Sequence, residues 1–270
     1  MRIVQYLRSL TNKKLDIKIF KKKHNFYQAI KIVNTIGFSR FTSEKIVYEI
    51  PQKKKIIILA PHPDDELIGA GGTLIETLKR KCSIEIIYLT SGKKEEKRIR
   101  EKELREVCDL LSVRSHVIGG IANKKLIGNK RILQILNQFK PQIIFIPFIL
   151  DDNPDHKKAN KLFYDISSLL NKTNPSINYE VWSYQVYTPL LVNRVVDITN
   201  NISKKEKLIK IYKSQFKSRD WAHYAIGLNA WNSRFLKRKK GPSWAECFFV
   251  QSKKEYEKFC KVFFNKSKYF

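Results

Sequence analysis

The apolar run in "KKKIIILA", residues 53–60, is the feature that most restricts this chain. It shows no polar alternation, so both faces of the strand must be covered, the pattern of a central strand in a parallel sheet. Pro61 stops it. "DELIGAGGTLIETLKRK" then reads as a helix, with acids in its first turn and bases in its last, the order favoured by the helix dipole. The alternation continues. "SIEIIYLT" reads as a strand, "RIREKELREVCDLLSV" as an amphipathic helix and "SHVIGGI" as a short strand. "RILQILNQF" is a helix stopped near Pro141, "QIIFIPF" another buried strand and "KKANKLFYDISSLL" a further helix. Two strand-like runs, "YEVWSYQVY" and "LVNRVVDIT", flank a turn around Pro189, and helices dominate the remainder of the chain. Strands alternating with helices predict an α/β fold: a Rossmann-like sheet of mainly parallel strands flanked by helices, in a single domain with right-handed crossovers.

Residues 51–270 are expected to form that domain, and residues 1–50 a basic N-terminal extension packed on it. Phe26, Ile30 and Val33 follow helical spacing within the extension. Its lysines also permit the other reading, an amphipathic element on an anionic membrane surface. The whole chain carries 53 Lys+Arg against 25 Asp+Glu, a net charge of +28. Such a field attracts polyanions but says nothing about fold. No nucleic-acid-binding motif accompanies it, so nucleic acid is not the expected partner. The four cysteines are scattered with no C-x-x-C, which argues against a disulfide frame or a sulfur-ligated zinc knot and for reduced thiols. "MRIVQYLRSL" is interrupted by Arg8, and no apolar stretch approaches the ~20 residues of a membrane span. The expected location is cytoplasmic, or peripheral at the inner face of the membrane if the basic surface meets lipid.

The first strand leads into "PHPDDE", one histidine and three acids within five positions. A buried carboxylate persists only if paired or bound to a metal, so something positive should sit on this cluster. About ninety residues later "DDNPDH" follows another buried strand. In an open parallel sheet both loops lie beyond the carboxyl ends of strands and so share one crevice. One histidine and one carboxylate from the first loop, with a histidine from the second, would suit Zn²⁺ with a position left for water. Fe²⁺ uses a similar triad, so the metal is less determined than its ligands. Asp64 and Asp65 are adjacent in a tight turn, so one should ligate and the other remain free as a general base. Glu66 reads as a first-turn acid serving the dipole. "GAGG" lacks dinucleotide-binding spacing, and its small residues are read as allowing close helix–sheet contact. Asp151 and Asp152 either bind substrate or solvate a loop. His24, His116 and His223 are read as structural. Trp221, Tyr224, Trp231 and Trp244 either line a sugar cleft or pack in the core.

These motifs together resemble the PIG-L (LmbE-like) family of metal-dependent N-acetylglucosaminyl deacetylases. "PHPDDE" is similar to its A-H-P-D-D-E signature, with Pro61 in place of alanine. Arg100, Glu103 and Leu104 resemble its R-x-x-E-L helix, "NPDH" its second metal motif, and "YKSQF" and "WAECFFV" its closing segments. The resemblance covers residues 53–250. It implies His62, Asp65 and His156 as metal ligands, Asp64 as general base, Arg100 as substrate-facing and Asp155 as an acid orienting its neighbours. Asn153 stands where many members carry histidine. It can hold an oxyanion by a hydrogen bond but cannot supply a proton, which leaves Asp64 to return its proton to the leaving amine. The activity implied is zinc-dependent removal of an acetyl group from an N-acetylglucosamine-type sugar on a lipid, glycan or small conjugate. The alternatives are a metal-dependent amidase acting on a non-sugar conjugate and, from another class, a non-enzymatic polyanion-binding protein.

Overall fold

The computed structural model describes residues 46–92, 95–119, 125–217, 219–237 and 241–264. The helical spacing read in the N-terminal extension, and His24, lie outside them. The elements in chain order are β1 (Ile46–Val47), β2 (Lys55–Ala60), α1 (Asp65–Lys79), β3 (Ser83–Tyr88), α2 (Lys97–Leu111) and β4 (Arg114–Val117). There follow α3 (Lys125–Phe139), β5 (Ile143–Pro147), α4 (Pro154–Thr173), β6 (Glu180–Tyr184), β7 (Arg194–Asp197), α5 (Ile202–Ile209), α6 (Trp221–Asn232), β8 (Ala245–Ser252) and α7 (Lys253–Phe264). The eight strands form one sheet in the order β1-β7-β8-β6-β5-β2-β3-β4. Only β8 runs antiparallel to its neighbours. The mainly parallel α/β architecture expected from the alternation is therefore present.

Burial on β2 explains the unbroken apolar run. Ile56, Ile58 and Ala60 face one core with Leu67 and Leu74 of α1 and Leu104 of α2, while Ile57 and Leu59 face a second core with Ile132 of α3, Phe163 of α4 and Phe259 of α7. Helices cover both sides, so neither face of β2 reaches solvent. The small residues of α1 serve this packing. A Cβ added at Gly69 would fall 2.1 Å from the Tyr184 ring, and one at Gly72 would fall 2.7 Å from Ile198.

The runs around β6 and β7 do not pair with each other, because β8 lies between them and pairs with both. Alternation in a strand reports which face is buried but not which strand is its neighbour. Residues 46–50, read from sequence as the end of the extension, include β1, which pairs in parallel with β7, and the buried Ile50.

The strand order positions the site. From β2 the chain moves through β3 to β4 on one side, then returns to β5 on the other. β2 and β5 are adjacent and parallel, with Ile58 opposite Phe145. The strand order thus reverses between them, and the loops after both strands open on one crevice.

Candidate active site

The loop after β2 bends sharply. Asp64 has φ 114°, a conformation rare for any residue other than glycine, and one that costs about 1–3 kcal/mol. The turn lets the chain fold back on itself: the His62 backbone N–H donates to Asp65 Oδ2 at 2.9 Å, and the Asp64 N–H donates to Glu66 Oε2 at 3.1 Å. The loop after β5 is set by side chains. Asn153 caps α4 by accepting from the Asp155 N–H at 2.9 Å, and Pro154 opens the helix.

The two loops bring His62, Asp65 and His156 together, with one ligand atom from each lying within 4.8 Å of the others. His62 Nδ1 lies 3.1 Å from Asp65 Oδ2, and its Nε2 lies 3.3 Å from Asp155 Oδ2. His156 is fully buried. Its Nε2 is 3.3 Å from Asp65 Oδ2 and its Nδ1 is 3.2 Å from Asp151 Oδ1, but neither nitrogen is in hydrogen-bonding geometry. Burial disfavours the imidazolium, yet the charges of Asp65 and Asp151 outweigh it and push the group up to about 10. Burial likewise opposes ionisation of Asp65, but His156 and His62 hold its carboxyl below the usual range. Asp64 goes the other way: burial, followed by the charges of Asp65 and Glu66, raises it well above an ordinary carboxyl, with Arg100 partly opposing. Two imidazoles and a carboxylate around a common point, with one buried ring lacking hydrogen bonds, fit a divalent cation with an open position.

The other candidates are also here. Arg100 on α2 is mostly buried, pairs with Glu96 at 3.0 Å and places its charge on Asp64. Its helix is tied to the "YKSQF" turn because Glu103 accepts from the Ser214 N–H at 2.8 Å and its Oγ at 2.5 Å. Asp155 faces His62 and is held by Lys158 at 2.7 Å. Asn153 reaches the Tyr187 hydroxyl, whose ring lies 5.5 Å from that of His156. Asp152 is exposed, and its backbone N–H donates to Thr188 Oγ1 at 2.9 Å. His116 bonds to Glu85 at 2.8 Å, the structural role read for it.

Three groups carry more than the sequence indicated. Asp151 is fully buried beneath His156 and accepts from the backbone N–H groups of Asn153 and Tyr187. Glu66 stands in the first turn of α1, as read, and is also enclosed. It is buried, accepts a 2.5 Å bond from the Tyr212 hydroxyl and is pushed up to about 7, chiefly by burial. Tyr187 forms part of the wall of the crevice. Asp151 had a sequence signal, an acid directly after a buried strand, but the partners of Glu66 and Tyr187 are distant in sequence.

The chain is similar in sequence and fold to several known proteins. Diacetylchitobiose deacetylase from Thermococcus kodakarensis is 24% identical over 235 residues, 75% of this chain and 84% of that protein. The crystal structure of N,N'-diacetylchitobiose deacetylase from Pyrococcus horikoshii superposes with a TM-score of 0.62 at 21% identity, covering 90% of this chain and 96% of that one. The 4-carboxy-2-hydroxymuconate hydratase GalB from Pseudomonas putida shares the fold with a TM-score of 0.60 at 14% identity, over 74% of this chain and 96% of that one. The fold alone thus does not fix the reaction. Residues 57–167, which carry both strand-end loops, match the PIG-L family, described as GlcNAc-PI de-N-acetylase.

Proposed function

We propose that this protein hydrolyses the acetamide of an N-acetylglucosamine-type sugar carried on a lipid, glycan or small conjugate, using one zinc ion held by His62, Asp65 and His156. The observation that carries the reading is the buried His156 ring, which faces Asp65 with both nitrogens free of hydrogen bonds. When bound, the cation polarises the acetamide carbonyl and acidifies water, lowering its pKa from 15.7 to roughly 7.

The chain's own groups supply the rest. Asp155 bonds to His62 and orients that ring, and the buried Asp151 carboxylate lies 3.2 Å from His156 Nδ1 and sets the charge beside it. Asp64 is buried and ready to hold a proton, so it takes one from the attacking water and delivers it to the departing amine. The Asn153 carboxamide donates to the developing oxyanion. Arg100 offers a cation beside Asp64 for substrate hydroxyls. The half-buried Trp221, edge-on to Tyr187 with centroids 5.6 Å apart, extends the wall where a pyranose ring would lie. Acetate and a free amino sugar are the products.

The test is acetate release from N-acetylglucosaminyl substrates, with metal content measured on the same preparation. Activity that requires Asp64 and tracks bound zinc supports the proposal. Equal rates for the protein and its Asp64→Asn variant would overturn it. Reconstitution of the chelated protein with Zn²⁺ or Fe²⁺ identifies the metal. Retained hydrolysis of amides without a sugar, coupled with inactivity on acetylated sugars, would move the assignment to an amidase.

A further inference from the structure

The most exposed large aromatic side chains among the described residues lie on a single helix. Trp231 is 66% exposed and Tyr224 56% exposed, and both belong to α6. They are seven positions apart, two turns, and so share one face. Between them on the same side are Gly227, where an added Cβ would meet nothing within 4 Å, and the exposed Ala230. The opposite face is anchored: Ala222, Ala225, Asn229 and Asn232 are buried. Two large aromatic groups on one exposed helix face forgo burial energy that a contact surface would recover.

The charges around this face identify the partner. Among the described residues of 217–244, Lys217, Arg219, Arg234 and Lys237 are cationic and Asp220 is the single acid. Asp220 is not free, since it caps α6 by accepting from the His223 N–H. Arg234 stacks over Trp231 at 4.5 Å and over Phe235 at 4.2 Å, and Lys237 beyond it is exposed. At the other end of the helix Arg219 lies 5.8 Å over Trp221. Amphipathic rings with cations beside them match an anionic lipid interface: rings enter at headgroup level and cations pair with phosphates. A protein partner of similar affinity would need an acidic, concave face, whereas a bilayer needs only the convex, ring-studded helix present here.

We propose that the Tyr224–Trp231 face of α6 docks this protein on an anionic membrane surface. The location adds a consequence. The same helix begins at Trp221, whose ring meets Tyr187 beside His156, so docking sets the crevice mouth at the lipid surface. A substrate whose sugar rises from a lipid headgroup would reach the site without leaving the bilayer.

The test uses the full chain and vesicles of phosphatidylcholine alone or mixed with phosphatidylglycerol. Co-sedimentation is expected with the mixed vesicles only. Acyl chains brominated near the headgroup should quench tryptophan fluorescence, and this quenching should be lost in Trp231→Phe. The Tyr224→Ser/Trp231→Ser variant should bind about tenfold more weakly, with unchanged hydrolysis of a soluble acetylated sugar. Vesicle binding is read without substrate, so it stands or falls separately from the hydrolytic assignment. Three results would overturn the proposal: no binding to mixed vesicles, binding that salt abolishes and the double variant leaves intact, or self-association that the double variant abolishes while vesicle binding persists.

Discussion

The perturbation with the largest expected effect on stability lies away from the crevice. Lys205 on α5 is fully buried, and its ammonium makes three bonds: 2.6 Å to Glu246 Oε1, 2.7 Å to Asn229 Oδ1 and 2.9 Å to the carbonyl of Ile68 in α1. Glu246 in turn accepts from the Gly72 and Thr73 N–H groups at 2.8 and 2.7 Å. The pair therefore stands in for helical bonds within α1, the helix that begins with Asp65. Burial pulls Lys205 below the ordinary lysine range, and the attraction of Glu246 works against that shift. Replacing Lys205 by Met preserves volume but leaves a buried carboxylate with only two amide donors and two oxygens without partners. Removing one member of a buried pair costs about 3–5 kcal/mol. At about 2–4 °C per kcal/mol for a domain this size, the melting temperature should fall by about 6–20 °C. Adding Glu246→Gln to Lys205→Met removes the uncompensated charge and should recover part of the loss, a coupling visible in a double-mutant cycle. The assay is thermal unfolding followed by calorimetry and circular dichroism. A single-variant cost under about 1 kcal/mol, or a double variant worse than the sum of the singles, would refute this account.

Asp64→Asn should lower kcat by about 10²–10⁴ while leaving bound metal in place, as measured by acetate release alongside metal analysis. His156→Ala should instead lose the metal itself, and chelation should lower the melting temperature of the wild type but not of this variant. Gly69→Ala should destabilise by about 1–3 kcal/mol, because its methyl would enter the Tyr184 ring between α1 and the sheet; denaturant unfolding measures this. Glu66 rises from 4.5 unfolded to about 7 folded, so its contribution is fully present below pH 4.5 and is lost as pH rises through 7. The loss is on the order of 3 kcal/mol, and melting scans of the chelated protein should show a decline between pH 5 and 8 that Glu66→Gln flattens.

The parts of this fold that could be read in the sequence are those set by local chemistry. Ile56 to Ala60 must be covered on both sides, and the helices that cover them follow directly in the chain. The two loops of the site could be placed together without a structure, because parallel strands leave by the same edge. The features that a linear reading misses depend on distant partners. β8 inserts between β6 and β7 although both precede it, and nothing in an alternating run names its neighbour. Lys205 reads as one lysine among many until Glu246, 41 residues later, meets it in the core. Glu66 has the position of a dipole acid, and only the Tyr212 hydroxyl, 146 residues away, shows it to be enclosed.

The site and the fold make opposing demands on α1. Asp64, Asp65, Glu66 and Asp151 are all buried, and the nearest counter-charges are two imidazoles and Arg100. Burial drives the first and third of these acids toward their neutral forms, and Asp64 adds a strained backbone. A domain with no use for the cluster would be more stable with apolar residues there. Carboxylates kept so close at that cost call for a ligand that stabilises them together, and the proposed divalent cation, shared by His62, Asp65 and His156, would do so. The same argument accounts for Lys205 and Glu246. They hold the middle of α1 by charge-assisted bonds, so that its first turn keeps its place despite the repulsion there.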